Sequence, residues 1–323
     1  MDNVLVIYPT KPEFREELSS ILSGYRIIFN ESEDSSLIDA QTAGDAVIII
    51  GNPPEDFLKL CPRLKWLQIL NAGTNGFVNG EVKETVLLSC ASGTYGHSVS
   101  EYMVGQTFML FKKMHLYRDE QLKCNWLHLG EIKSVQDAVI LVVGFGDLGF
   151  QYAKRMKALG AYVIGVRRSP QPKPDFLDEL LLSDQMEEAL PRADLVALTI
   201  PGTKDTTGIF GRAQLAKMKP GAMLINVARG FVVDTEALCD ALESGALAGA
   251  ALDVTEPEPL PTEHKLWKLS NAIISPHISG SYSMPETIQY IMKLCLDNAR
   301  RFVAGETLES LVDYKTGYRI PRV

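Results

Sequence analysis

Residues Val139 to Gly149 read Val-Ile-Leu-Val-Val-Gly-Phe-Gly-Asp-Leu-Gly, an unbroken aliphatic run that gives way to glycines at Gly144, Gly146 and Gly149. Such a run fits a strand buried on both faces, and the residues from Phe150 to Leu159 recur at helical spacing, with Tyr152, Met156 and Leu159 on one side. Strand, glycine turn and helix is the setting in which glycines of this spacing hold phosphates. Gly144 would allow the tight turn, Gly146 would let backbone approach a pyrophosphate, and Gly149 would let the helix pack close to the strand. Asp147 and Leu148 then open the helix whose positive end faces the phosphates. The alternative is a tight turn between strand and helix that binds nothing.

Outward from this stretch the pattern repeats on both sides. Strands are expected near Tyr162 to Val166, Leu195 to Ile200, Met223 to Val227, Ala248 to Leu252 and Ala272 to Ile274, most of them separated by helical segments. With Val139 to Val143 they make six, the number of a doubly wound nucleotide-binding sheet. A second α/β alternation fills about the first 95 residues, with strands at Val4 to Tyr8, Tyr25 to Phe29, Ala46 to Ile50, Lys65 to Leu70 and Thr85 to Leu88. Between its last two strands lies Asn71-Ala-Gly-Thr-Asn-Gly76, where small residues could expose N–H groups to a carboxylate or simply make a turn. Ser98-Val-Ser-Glu101 reads as a capping box, opening a helix to about Arg118 that would cross from one domain to the other. The final helix, Pro285 to Phe302, is expected to return to the first domain. The expected architecture is α/β: a doubly wound Rossmann domain (98–285) inserted into a smaller flavodoxin-like parallel domain (1–97 and 286–323).

Composition narrows the chemistry. At 323 residues the chain exceeds one ordinary core, and 46% hydrophobic with 22% charged residues describes a globular protein. No apolar stretch approaches the ~20 residues of a membrane span, and Met1 to Thr10 lacks the pattern of a signal peptide, so a cytoplasmic protein without a membrane partner is expected. A net charge of −8 argues against nucleic acid, and it means that an anionic ligand would rely on a few placed cations. The five scattered cysteines, Cys61, Cys90, Cys124, Cys239 and Cys295, read as buried reduced thiols rather than metal ligands.

Several residues stand where the strands should end. In NAD-binding folds the second strand ends in an acidic residue that accepts from the ribose, but here Tyr162 to Val166 is followed by Arg167-Arg168-Ser169. Two guanidinium groups and a hydroxyl suit a 2′-phosphate, so NADP(H) is favoured, with NAD(H) possible. Arg229, in Asn226-Val-Ala-Arg-Gly230, could clamp a carboxylate or serve only structure. His277, in Ser275-Pro-His-Ile-Ser279, is the histidine best placed for proton transfer, ahead of His97; His115, His128 and His264 look like helix or surface positions. Glu258 lies in Asp253-Val-Thr-Glu-Pro-Glu-Pro-Leu-Pro261, a loop held extended by prolines, where a carboxylate could pair with the imidazole and favour its protonated form. Glu256 could compete for that role.

Gly-Phe-Gly-Asp-Leu-Gly, Asn-Val-Ala-Arg-Gly, Ala-Leu-Asp-Val-Thr-Glu-Pro-Glu-Pro-Leu-Pro and Ser-Pro-His-Ile-Ser-Gly, in this order, resemble the D-isomer-specific 2-hydroxyacid dehydrogenase family over essentially the whole chain. The resemblance implies that Arg229, Glu258 and His277 are the catalytic residues. It implies substrate contacts from Ala72, Gly73, Arg229 and His277. Cofactor contacts would come from Ile200, Pro201, Thr206, Val227, Ala228, Asp253, His277, Ser279 and Gly280, with a homodimer built through the cofactor domain. Arg167 matches the NADP-preferring glyoxylate and hydroxypyruvate reductases, whereas many members carry Asp there. Formate dehydrogenases carry Gln where Glu258 stands. The implied activity is NADPH-dependent reduction of a 2-ketoacid to the D-2-hydroxyacid, with pocket residues near Asn71 to Phe77, Tyr95, Trp126 and Trp267. The alternative is a dinucleotide-sensing protein of the C-terminal-binding-protein type.

Overall fold

The computed structural model describes residues 1–78, 80, 82–280 and 284–320. From the start of the chain, β1 (Asn3–Ile7), α1 (Pro12–Ile21), β2 (Arg26–Asn30), α2 (Ala40–Gly44), β3 (Ala46–Gly51), α3 (Glu55–Leu58), β4 (Trp66–Gln68) and β5 (Leu87–Ser89) alternate. Next come α4 (Gly96–Phe111), α5 (Met114–Leu122), β6 (Val139–Val143), α6 (Asp147–Ala158), β7 (Tyr162–Arg167), β8 (Glu179–Leu182), α7 (Met186–Ala189) and β9 (Leu195–Leu198). Then follow α8 (Arg212–Lys217), β10 (Ala222–Asn226), α9 (Thr235–Glu243), β11 (Leu247–Leu252) and β12 (Ala272–Ile274). The chain closes with α10 (Pro285–Ala304), β13 (Val312–Asp313) and β14 (Tyr318–Arg319). It divides into two compact units, one of Met1–Tyr95 with Pro285–Val323 and one of Gly96–Met284.

The first unit holds a parallel sheet in the order β2-β1-β3-β4-β5, which is flavodoxin-like. Val4 to Ile7 and Ile48 to Ile50 are buried throughout, as strands covered on both faces must be, and α1 packs Phe14 and Leu18 inward. The returning α10 completes this core. Trp66 stacks on Phe302 with ring centroids 5.3 Å apart, and Asn298 Nδ2 donates to Gln68 Oε1 at 2.7 Å. The β13–β14 hairpin reaches the loop after β4, where Thr74 Oγ1 donates to the Gly317 carbonyl.

The second unit holds seven parallel strands in the order β12-β11-β10-β9-β6-β7-β8. Numbered within the unit this is 7-6-5-4-1-2-3, the doubly wound nucleotide-binding arrangement with one strand more than the six expected. The unforeseen strand is β8, a half-buried edge strand that follows a connection broken by Pro170, Pro172 and Pro174. The sheet order reverses beside β6, so the glycine turn stands at the switch point.

Helix α4 departs from expectation at both ends. It begins at Gly96, so Ser98 is a buried residue of the first turn rather than a cap, and the whole helix belongs to the second unit. It stops at Phe111 because Lys113 takes a left-handed backbone, φ 54°, before α5 starts. Leu159, expected on the buried side of the helix after the glycine turn, is exposed; Tyr152 and Met156 are fully buried. Tyr152 OH lies 2.7 Å from Thr107 Oγ1 of α4, and that hydroxyl in turn donates to the Met103 carbonyl. Four of the five cysteines are buried; Cys124 is exposed.

Candidate active site

Because every strand of the second unit runs the same way, the loops after β6, β7, β9, β10, β11 and β12 gather at one edge. The glycine turn comes first. Gly144 has φ 103°, which only glycine adopts freely, and a Cβ there would lie 2.7 Å from the Ile200 amide nitrogen. A Cβ on Gly149 would stand 2.2 Å from the Gly144 carbonyl oxygen, so α6 packs on the turn as closely as the backbone permits. Thr199 Oγ1 donates to that same carbonyl at 2.7 Å and closes the turn from β9.

Gly146 is different. It is the N-cap of α6, no side chain caps the helix there, and a Cβ on it would meet nothing within 4 Å. The first-turn N–H groups at Asp147, Leu148 and Gly149 thus face an open approach at the positive end of a helix. The Asp147 carboxyl lies against Gly96 at the start of α4.

Arg167 ends β7, half-buried, with Arg168 and Ser169 exposed after it. Its Nε is buried without a hydrogen-bond partner among the described residues. Burial pushes the guanidinium below its ordinary value, though an Arg remains charged at any working pH. A buried cationic donor left unpaired is costly, and an anion is the group that satisfies it. The uncapped helix end and this unpaired donor both fit a dinucleotide that carries a 2′-phosphate.

After β9, Thr206 Oγ1 donates to the Pro201 carbonyl at 2.7 Å and folds the Ile200–Thr206 segment on itself. After β10, the buried Asn226 side chain shapes the next loop, accepting from Ala228 N and donating to the Arg229 carbonyl, each at 3.0 Å. This leaves Val227 and Ala228 buried and projects Arg229, whose stem packs so closely on Gly202 that a Cβ there would lie 2.4 Å from Arg229 Cγ. Arg229 Nη1 donates to the Ala228 carbonyl at 2.7 Å. Burial pushes its guanidinium down, and the charge of Glu258 acts in the opposite sense.

The loops after β11 and β12 meet at His277. Its Nδ1 lies 2.7 Å from Glu258 Oε1, and both side chains are a little under half exposed. Glu256, the rival for this contact, is exposed and holds Thr235 Oγ1 through its carbonyl. The Glu256–Pro257 and Glu258–Pro259 peptide bonds are cis, in place of the extended run expected of that loop. His277 itself sits at φ 53°. Its N–H donates to the Asp253 carbonyl at 2.8 Å, while the Asp253 side chain accepts from Ile278 N and Ser279 N, each at 2.9 Å, and from Ser275 Oγ at 2.8 Å. Asp253 is thereby buried, as is Ser279 at the end of the turn, with the half-buried Gly280 beyond it. Tyr102 OH of α4 contacts Ser275 Oγ.

The other histidines lie elsewhere. His97 pairs with Arg155 at 2.9 Å and faces Glu101; His115 is half-buried against the Met109 carbonyl; His264 accepts from Leu266 N; His128 is exposed. Trp126 is fully exposed, and Trp267 donates to the Pro261 carbonyl at 2.9 Å. In the first unit, Ala72 and Gly73 are half-buried in the loop after β4, and Tyr95 OH donates to the Leu70 carbonyl at 2.6 Å. Sequence reasoning missed Asn226, Thr199, Ser275 and Tyr102 as shapers of the site. Asn226 and Ser275 stand inside motifs already quoted, whereas Tyr102 lies 173 residues from its partner and carries no local signal.

A doubly wound sheet with an open glycine turn at its switch point defines a dinucleotide-binding α/β protein. The family described as D-isomer-specific 2-hydroxyacid dehydrogenase, NAD-binding domain, matches residues 104–279. An uncharacterized protein in the proB 3′ region of Corynebacterium melassecola is 34% identical over 281 residues, covering 85% of this chain and 90% of the relative. A glycerate dehydrogenase of Methylorubrum extorquens is 31% identical over 275 residues, 81% and 84% of the two chains. An NADPH-dependent glyoxylate/hydroxypyruvate reductase of Sinorhizobium meliloti, solved with NADP and sulfate, superposes with a TM-score of 0.82 at 25% identity. That match covers 98% of this chain and 100% of the other. The chain belongs to the D-isomer-specific 2-hydroxyacid dehydrogenase family and is an oxidoreductase of that family.

Proposed function

We propose that the protein reduces a small 2-ketoacid to the D-2-hydroxyacid with NADPH, in a reversible reaction. The observation that carries this reading is the His277–Glu258 contact at 2.7 Å on the same sheet edge as Arg229 and the open Gly146 turn. The bound cofactor supplies hydride to C2 of the substrate. Arg229, half-buried and locked by Asn226 and Gly202, binds the substrate carboxylate and polarises the neighbouring carbonyl. Glu258 occupies Nδ1 of His277, which fixes the ring and leaves Nε2 to give its proton to the carbonyl oxygen. In the reverse direction the same Nε2 takes the proton back from the hydroxyl.

NADP(H) is preferred in this reading because the unpaired Nε of Arg167 and the adjacent Arg168 and Ser169 offer donors to a 2′-phosphate and no carboxylate to a ribose hydroxyl. The names of the relatives point the same way, toward glycerate, glyoxylate and hydroxypyruvate. A homodimer and a cytoplasmic setting belong to the same reading. Among the described residues no helix is long and apolar enough to cross a membrane.

Initial rates of NADPH and NADH oxidation against 2-ketoacids from glyoxylate to phenylpyruvate test this. Fast NADPH-dependent turnover of glyoxylate or hydroxypyruvate is expected. Tight NADPH binding with no turnover of any member would replace the reductase with a cofactor-sensing protein.

A further inference from the structure

The turn that presents His277 is held from a distance. His277 has a left-handed backbone, a region that side chains with a Cβ avoid, so something must fix it. Asp253 supplies the fixing groups, with its carbonyl on His277 N and its carboxylate on Ile278 N and Ser279 N. This carboxylate, which the family resemblance would give to the cofactor, is buried and spends both oxygens on the turn.

The carboxylate has one further donor, Ser275 Oγ at 2.8 Å, and Ser275 Oγ in turn meets Tyr102 OH. A hydroxyl has one proton to give. Since Asp253 accepts from Ser275, Ser275 must accept from Tyr102, so the bonds run in one direction from Tyr102 to Ser275 to Asp253 and polarise one another. Burial pushes the Tyr102 hydroxyl up to about 12, so it remains a donor at neutral pH. Gln106, one turn further along α4, also reaches this hydroxyl. Helix α4 is thereby tied to the backbone that aims the imidazole.

We propose that Tyr102 is a positioning residue for His277, acting through Ser275 and the Asp253 carboxylate. The proposal rests on the reading of His277 as the proton donor. Without the Tyr102 hydroxyl, Ser275 is free to turn away from Asp253. The carboxylate then loses a donor, and the two amides that follow His277 lose a rigid acceptor. A general acid displaced by a fraction of an ångström costs turnover and leaves ground-state binding largely intact.

Tyr102→Phe, Ser275→Ala, the double variant and Ser275→Thr test this in the full-length protein. Each is assayed for glyoxylate reduction with NADPH, and the His277 ring is followed by 15N NMR of the imidazole. Tyr102→Phe and Ser275→Ala should each lower kcat by about tenfold to a hundredfold, with KM for both substrates within about twofold. The double variant should be no worse than the poorer single variant, because the chain acts as a unit. Ser275→Thr should restore kcat. The Nδ1 signal of His277 should shift or broaden in Tyr102→Phe and in Ser275→Ala and stay at the wild-type position in Ser275→Thr, which keeps the bridging hydroxyl. Unchanged kcat with a lowered Tm would overturn the proposal, as would effects that add in the double variant. Should wild type reduce no 2-ketoacid, the functional reading fails by itself. The imidazole signal still decides the positioning, since a His277 resonance unmoved by Tyr102→Phe would refute it.

Discussion

Placing one methyl group at Gly146 or at Gly149 separates a glycine kept for a ligand from a glycine kept for packing. At Gly149 a Cβ would stand 2.2 Å from the Gly144 carbonyl oxygen, 2.8 Å from Thr199 Oγ1 and 3.0 Å from Val142 Cγ1. Ordinary contact begins near 3.4 Å, so α6 would have to retreat from the sheet by roughly 1 Å. Overpacking of this kind costs about 1–3 kcal/mol, and a clash with backbone belongs at the upper end. Alanine in place of glycine inside a helix returns about 1 kcal/mol. The net loss for Gly149→Ala is therefore about 2 kcal/mol, which lowers Tm by roughly 4–8 °C in a unit of this size.

At Gly146 the methyl group meets nothing within 4 Å and the backbone is extended, so Tm should not change. The methyl group would instead occupy the approach to the α6 amides, weakening NADPH by about tenfold to a hundredfold, or roughly 1.4–2.8 kcal/mol. Thermal melts with and without cofactor and NADPH titration by fluorescence read both effects. Gly146→Ala binding NADPH as wild type does would show that the phosphates do not pass over Gly146. Gly149→Ala melting with wild type would refute the packing argument.

Four further outcomes are expected. His277→Ala should lower kcat by orders of magnitude while NADPH still binds, measured by stopped-flow and titration; near-normal turnover would remove His277 from the chemistry. Arg167→Asp should weaken NADPH by about tenfold to a hundredfold through the loss of about 1.5–3 kcal/mol of charged hydrogen bonding, with NADH spared, and unchanged selectivity would transfer the role to Arg168 and Ser169. Burial alone would raise the Asp194 carboxyl, but Lys219 at 2.7 Å, the Val139 N–H at 3.0 Å and the Lys133 charge together hold it below the usual range. A carboxylate lowered by folding stabilises the protein above its unfolded value of about 3.9, and this contribution fades as pH falls through the lower folded value. Asp194→Asn should accordingly melt below wild type at pH 7, by a margin that narrows as the pH falls below the unfolded value of about 3.9, and a constant difference would refute the assignment. Tyr152→Phe removes a buried hydroxyl that donates to Thr107 and should cost about 1 kcal/mol by urea unfolding, with no change in NADPH affinity.

The glycine turn was legible because its main requirements are local: Gly144 needs its positive φ, and Gly149 packs on the Gly144 carbonyl five residues before it. The strand ends were legible for a related reason, since an aliphatic run stopping at Asn226, Leu252 or Ile274 marks the ligand edge of a parallel sheet. Elements set by distant contacts were not. Ser98 and Glu101 carry the pattern of a helix start, yet packing buries Ser98 within a helix already begun at Gly96. The break at Lys113 follows no glycine or proline, and the strand at Glu179–Leu182 follows prolines that disguise it. Within the candidate site, Arg167, Arg229 and His277 were visible as residue types at or just beyond strand ends, and Glu258 in the proline loop after β11. The Tyr102–Ser275–Asp253 chain was not, because its members are joined across the fold and not along the sequence.

The first unit is sewn from both ends of the chain, and this sets an order in time. Gln68 meets its Asn298 donor, and Trp66 its Phe302 face, only after the intervening unit of about 190 residues has been made. At ~5–20 residues per second, a ribosome needs roughly 10–40 s to cover that interval. For that period Trp66 and its sheet lack the helix that covers them, while the Rossmann unit, continuous in sequence, is being made. The unit that starts first is the one that finishes last, and the nascent chain is then most exposed to chaperones and to misassembly.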